Sequence, residues 1–313
     1  MADKKVYYGG QAVMEGVMIR GPRSMAIACR NPEGEIVVRC EPLGGVYSGF
    51  VRRIPLVRGV IVLWETLALG IRALIWSSNV ALGEEEQEPN TAAMWSVAIA
   101  SLVVVGGIFF AGPLLLADLL HSLLGSDTLV ILVEGVIRLA IIVGYVGAIG
   151  FMPDVRRVYE YHGAEHKSIH ALEHGDPLEP EHVQRHPTAH VRCGTSFLLT
   201  VVIVSIFVFA AVGDPALWVR IGSRIVLIPV IASIAYEVIR LGGAFEQNPV
   251  TKVLMWPNLA LQAITTKPPD DSQVEVALRA LTEVLEAEEE MGEVAPRVAS
   301  QAEEAAEAAP PLD

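Results

Sequence analysis

SVAIASLVVVGGIFFAGPLLLADLL, residues 96–120, carries a single charge, Asp118, in 25 positions. A helix of about 20 apolar residues crosses the roughly 30 Å hydrocarbon layer of a bilayer, so this stretch predicts a transmembrane helix over 94–120. Its neighbour VILVEGVIRLAIIVGYVGAIGFM, residues 130–152, predicts a second over 129–152. Two more apolar stretches, over 196–212 and 219–241, make a second pair. The turns closing the two hairpins, HSLLGSDT and GDPAL, contain no Lys or Arg.

The bases lie on the other side of these helices. Nine Lys/Arg occur up to Arg58; Arg156, Arg157, Lys167, Arg185 and Arg192 lie between the second and third apolar stretches; Arg240 and Lys252 follow the fourth. Basic loops stay in the cytoplasm, so two hairpins dipping from the cytoplasm, with both termini inside, satisfy every loop. MADKKVYYGGQAV lacks the apolar core of a signal peptide, and no cleavage is expected.

Composition agrees. The chain is 52% hydrophobic and only 19% charged, with a mean hydropathy of +0.45. Its net charge of -13 comes largely from the tail beyond Asp270, where Arg279 and Arg297 are the sole bases. The remainder is near neutral, so nucleic acid is not an expected partner; the bilayer is. Cys29, Cys40 and Cys193 fit no disulfide framework and read as thiols in a reducing compartment, or in one case as a ligand.

Residues 54–76 are apolar, yet Arg58, Glu65 and Arg72 recur every seven positions and draw one polar stripe along a helix. A crossing here would carry the nine N-terminal bases outside, so an interfacial or re-entrant helix is expected. Upstream, MAIACR and EIVVRC flank the turn residues NPEG and predict strands. The stretch before them, GGQAVMEGVMIRGP, spaces its glycines for tight turns or close approach and matches neither a dinucleotide fingerprint nor a phosphate loop. SQVEVALRALTEVLEAEEE predicts an amphipathic helix with Val274, Val276, Leu278, Leu281, Val284 and Leu285 broadly on one side.

The fold expected is therefore an α-helical polytopic membrane protein, with about four transmembrane helices, an interfacial helix and a small N-terminal β-rich cytoplasmic unit. The expected divisions are a β-rich unit over 1–53, the interfacial or re-entrant helix over 54–76, and hairpins over 93–153 and 195–241. A histidine-rich cytoplasmic segment over 154–194 separates the hairpins. A cytoplasmic helical segment over 242–289 and a disordered acidic tail over 290–313 follow.

Seven of the eight histidines fall between Asp154 and Cys193, and His162, His166, His170 and His174 are spaced by four. With no proline before Pro177, this segment predicts a helix on which successive imidazoles share one face. HGAEH is the H-x-x-E-H arrangement: two imidazole ligands for zinc (Zn2+) or another divalent transition metal, and a glutamate, Glu165, as general base. The third ligand is left among His190, Cys193 and Glu237. The plainer alternatives are a solvated or pH-responsive histidine face, a packed cysteine, and a Glu237–Arg240 ion pair at the membrane boundary. His170 and His174 continue the face, as supporting groups or in solvent. Within the first hairpin, Asp118 and Glu134 sit at matching depth with His121 and Arg138 near; an Asp118–Arg138 or Glu134–Arg138 pair locking the hairpin is the simpler account.

GGQAVMEGVMIRGP, YHGAEHKSIHALEHG, HVRCGTSF, AYEVIRL and PNLALQAITTKPPDDSQVEVALRAL, spread over residues 9–281, together resemble the YqhQ-like family of bacterial membrane proteins (domain of unknown function 1385), described as predicted metal-dependent enzymes. The resemblance implies a multi-pass protein of the bacterial cytoplasmic (inner) membrane. It carries over His162, Glu165, His166, His190, Cys193 and Glu237 as the matching polar residues. HVRCGTSF departs from the family pattern, in which a proline commonly follows the histidine; the histidine and cysteine are in place.

Three functions compete: a membrane-embedded metal-dependent hydrolase acting on a lipid-linked or membrane-protein substrate, a non-catalytic scaffold with a structural metal or none, and an ion transporter. The third and fourth apolar stretches are apolar at their centres, which argues against transport.

Overall fold

The computed structural model describes residues 8–44, 54–83, 91–120, 123, 125–190, 193–213, 216–245 and 248–292. Lys4, Lys5, Arg52, Arg53, His121, Arg192, the acidic run 84–88 and the acidic tail from 293 onward lie outside the described residues.

The β-rich region is a four-stranded antiparallel sheet in the order β1 (Gly9–Val13), β2 (Gly16–Arg20), β3 (Ser24–Arg30), β4 (Ile36–Pro42). The NPEG turn between β3 and β4 is held by Asn31, whose Oδ1 accepts from the Glu35 N–H at 2.7 Å. Side chains alternate across a strand, and β2 and β3 use both faces. Val17, Ile19, Ala26 and Ala28 pack on one side against α5 (Pro153–His174) and α11 (Asp271–Glu290). Met18, Met25, Ile27 and Cys29 pack on the other against Leu69, Ala73 and Trp76 of α1 (Val57–Leu82).

α11 starts with a capping box, Asp270 accepting from the Gln273 N–H while the Gln273 side chain accepts from the Asp270 N–H. Its Val274, Val276, Leu281 and Val284 are fully buried, and each such side chain contributes about 1.5–3 kcal/mol. Sheet, histidine helix and C-terminal helix thus share one core, although they are far apart in the chain.

Among the described residues, three helical stretches are long and apolar enough to cross a membrane: Val57–Leu82, Ile99–Leu119 and Leu129–Ile149. A fourth arises if the bent pair Trp218–Val226 and Ile228–Ala244 is one span. The helices concerned are α2 (Thr91–Gly106), a π turn (Gly107–Ala111), α3 (Gly112–Leu119), α4 (Asp127–Ile149), α7 (Gly194–Val212), α8 (Leu217–Val226) and α9 (Ile228–Ala244). Pro180–Val183 forms the short helix α6, and Pro249–Thr265 forms α10. The apolar part of α7, Ser196–Val212, falls below the length of the others.

Two of the expected segments take a more specific form in the structure. The segment expected to lie at the interface over 54–76 is one continuous 26-residue helix, α1, with the length and composition of a span. Two residues of its polar stripe are paired: Arg58 with Glu237 of α9, and the buried Glu65 with Arg20 of β2. The stretch expected as one helix over 219–241 is bent by 46° between α8 and α9; Pro229, near the start of α9, cannot donate a backbone hydrogen bond there. Pro113 similarly leaves the Phe109 carbonyl without its helical donor, and Arg138 Nε fills that role at 3.1 Å. Arg138 also pairs with Glu134, the second of the two expected pairings, and Arg224 joins the same carboxylate at 2.8 Å. Asp118 pairs with Arg220.

Candidate metal centre

α5 opens with Pro153 at its first turn and Asp154 beside it, both favourable at a helix N-terminus. Its HGAEH stretch is crossed closely by another segment. A Cβ on Gly163 would lie 2.1 Å from the Lys267 carbonyl oxygen, so glycine is what lets the chain after α10 lie flat on α5. That contact brings the Thr265 carbonyl to His162, whose Nδ1 donates to it at 2.9 Å. The remaining ring nitrogen, Nε2, faces Cys193 Sγ at 3.2 Å.

His166 is oriented in the same manner. Its Nδ1 donates to the Thr188 carbonyl, which leaves Nε2 with the lone pair, 3.4 Å from Glu165 Oε2. The two rings meet edge to face with centroids 4.5 Å apart. One donor atom each from His162, His166 and Cys193 lies within 4.8 Å of the others. Histidine ligands commonly spend the second ring nitrogen on a carbonyl or carboxylate, which fixes tautomer and direction; both imidazoles here do so. Burial and the neighbouring imidazoles push His166 down to about 2, so it is neutral, as a ligand must be.

Glu165 is buried beside this group. Desolvation raises its carboxyl above the usual range, against the pull of His162, His190 and a Gly10 N–H. The approach of β1 is tight: a Cβ on Gly10 would lie 2.7 Å from both Glu165 Cγ and the Met18 carbonyl oxygen. The glycine-spaced N-terminal stretch therefore serves to seat a strand against the glutamate of the motif.

The other expected ligands are placed elsewhere. His190 joins His170 and Glu173, in a second group whose donor atoms also lie within 4.8 Å of one another. Glu237 belongs to neither group; it accepts from Arg58 Nε at 2.6 Å. His174 donates from Nδ1 to the His170 carbonyl, and His186 pairs with Asp176 at 2.9 Å. Glu173 was not singled out from the sequence, although its place three residues after His170 on the same helix puts it on the histidine face. The Thr188 and Thr265 carbonyls carry no sequence signal.

The donor set of two imidazole nitrogens and one thiol suits zinc or another borderline-soft divalent ion, and three protein ligands leave a fourth tetrahedral position for water or substrate.

The chain matches the family described as "Protein of unknown function (DUF1385)" over residues 54–287. It is similar to the Uncharacterized protein YqhQ of Bacillus subtilis (strain 168), 35% identical over 295 residues that cover 90% of this chain and 93% of that protein. No solved structure matches it.

Proposed function

The chain belongs to the DUF1385 family, and from that premise we propose that it is a membrane-embedded, metal-dependent hydrolase of the bacterial cytoplasmic membrane, with both termini in the cytoplasm. The observation that carries this reading is the convergence of His162 Nε2, His166 and Cys193 Sγ, with the Nδ1 proton of each ring committed to a carbonyl. His162, His166 and Cys193 would hold the ion, and zinc is the metal best matched to them. When bound, the ion supplies Lewis acidity and acidifies water at the open position. Glu165 would act as the general base, taking a proton from a water molecule beside it and returning it to the leaving group. Burial keeps its carboxyl raised, nearer to the operating pH.

The membrane assignment rests on the spanning-length stretches that follow α1, namely Ile99–Leu119, Leu129–Ile149 and the bent pair Trp218–Val226 and Ile228–Ala244 taken as one span. It rests also on the lack of Lys and Arg within the two short turns. α1, whose Leu69, Ala73 and Trp76 pack on the sheet, would stay on the sheet's side. α5 follows directly on α4, the helix of one such span. The site would then lie at the cytoplasmic membrane surface, within reach of a lipid-linked molecule or a membrane-protein segment.

The test is metal content, followed by the open position. Detergent-purified protein should lose about one equivalent of zinc per chain on His162→Ala/His166→Ala substitution. The cobalt-substituted protein should change its visible spectrum when a hydroxamate is added, because that ligand needs a free coordination position. Unchanged metal content in the double variant would remove the centre. A cobalt spectrum indifferent to hydroxamate would make the ion structural and sink the hydrolase.

A further inference from the structure

Thr188, Ala189 and His190 are consecutive, and together they organise three imidazoles. The Thr188 carbonyl accepts from His166 Nδ1, and the Ala189 carbonyl accepts from His170 Nε2 at 2.9 Å. His190 then sets its own ring beside His170, centroids 4.6 Å apart. Its backbone is clamped on both sides by the Gln262 side chain of α10. The His190 N–H donates to Gln262 Oε1 at 2.8 Å, and Gln262 Nε2 donates to the His190 carbonyl at 2.8 Å. His190 is only 5% exposed. Its imidazole is thus positioned by the fold before any ligand arrives, with Nε2 3.3 Å from Glu173 Oε2.

We propose that His170, Glu173 and His190 form a second site for a divalent transition-metal ion, beside the His162–His166–Cys193 centre. Two imidazole nitrogens and a carboxylate oxygen within 4.8 Å of one another make a set that zinc, cobalt and related ions accept without a thiolate. The Ala189 carbonyl fixes the His170 proton on Nε2 and leaves the lone pair on Nδ1. A plain imidazole–carboxylate hydrogen bond is the rival account, and the molecule offers one for comparison. His186 and Asp176 form such a pair at 2.9 Å, yet they join no group of three donors among the described residues. The His190–Glu173 pair is longer and has His170 in range. The two sites are adjacent, with the His166 and His190 rings 5.8 Å apart. The second lies nearer solvent, since the Glu173 side chain is 31% exposed while Cys193 is buried.

The test uses the full chain in detergent, stripped with a chelator and titrated with cobalt(II), reading bound equivalents and the absorption spectrum. Two equivalents are expected, and one of them should show a thiolate-to-cobalt charge-transfer band from Cys193. His170→Ala/Glu173→Gln should remove one equivalent and leave that band. His162→Ala/Cys193→Ser should remove the band and leave one equivalent. One equivalent in the wild type, lost with His162→Ala/Cys193→Ser, would overturn the second site and leave the first. One equivalent that survives that variant but not His170→Ala/Glu173→Gln would support the second site and overturn the first. One equivalent lost in either variant would mean a single shared ion and overturn the second site, and no binding would overturn both. Glu173→Gln alone, at a partly exposed position, guards against misfolding of the double variant. It should weaken the second equivalent at least tenfold, and unchanged affinity would overturn the proposal.

Discussion

His162 Nε2 and Cys193 Sγ stand 3.2 Å apart across 31 residues of chain, while Nδ1 of the same ring gives its proton to the Thr265 carbonyl. The lone pair therefore faces the sulfur, and in the metal-free protein the thiol donates its hydrogen to the imidazole. A metal needs the thiolate, so that proton must leave. Zinc binding is expected to release about one proton, and its affinity to rise about tenfold per pH unit while the thiol is protonated. His166, neutral because it is pushed down to about 2, adds nothing to this release. Calorimetry in buffers of different ionisation enthalpy measures the proton count. Cys193→Ser should abolish it, and pH-independent affinity between pH 6 and 8 would exclude thiolate ligation.

The same buried imidazoles bear on acid stability. His166 is pushed down to about 2 and His170 to about 4, both chiefly by burial. An unfolded chain protonates each near the ordinary value of 6.5. Below that pH the unfolded state therefore binds protons that the folded state refuses. The stability is present in full above pH 6.5 and is lost as the pH falls. Each histidine contributes at most about 1.4 kcal/mol per pH unit. Glu165 opposes them, because its raised carboxyl takes up a proton more readily when folded. Melting of the chelator-treated protein should drop between pH 7.5 and 5, less steeply in His170→Gln. A flat profile would contradict the burial of these rings.

Gly10 has no room for a side chain. An alanine Cβ would stand 2.7 Å from the Met18 carbonyl oxygen, which the β1–β2 pairing fixes, and equally close to Glu165 Cγ. Gly10→Ala should cost about 1–3 kcal/mol through overpacking and displace the glutamate. Metal content should stay near wild type, because neither His162, His166 nor Cys193 is touched. Gly9→Ala, with open space around its Cβ, is the control. Equal melting temperatures for the two variants would show that β1 does not press on the motif.

Local periodicity made much of this fold legible. The four-residue spacing of His162 to His174 is the face that α5 presents, and Val274, Val276, Leu281 and Val284 are the residues α11 buries. What stayed hidden depends on partners distant in sequence. His190 and Cys193 read as equivalent third ligands, three residues apart ahead of α7. They part company because Gln262, 72 residues on, clamps the backbone of His190, whereas Cys193 meets His162. Glu237 read as a possible ligand at the membrane boundary, but Arg58, 179 residues earlier, takes its carboxylate. Arg58 and Glu65 read as members of one polar stripe along a helix, with no partners in view, for the same reason: each partner lies on another element.

Glu134 supplies the severest test of the helical bundle. Its side chain, 3% exposed, accepts from Arg138 on its own helix and from Arg224 on α8, and the Arg224 guanidinium also lies 3.9 Å over the Phe209 ring. One carboxylate thus holds two buried guanidinium groups together. Glu134→Ala leaves two like charges with that counter-charge removed, a loss of about 3–5 kcal/mol. Glu134→Gln, which still accepts a hydrogen bond, should cost less. The Asp118–Arg220 pair is the contrast: the Asp118 side chain is 51% exposed, and Asp118→Asn should cost under about 1 kcal/mol. Thermal unfolding in detergent should rank the variants Glu134→Ala, Glu134→Gln, Asp118→Asn in order of decreasing damage. If Glu134→Ala melts with Asp118→Asn, then the three-residue cluster does not hold α4 to α8.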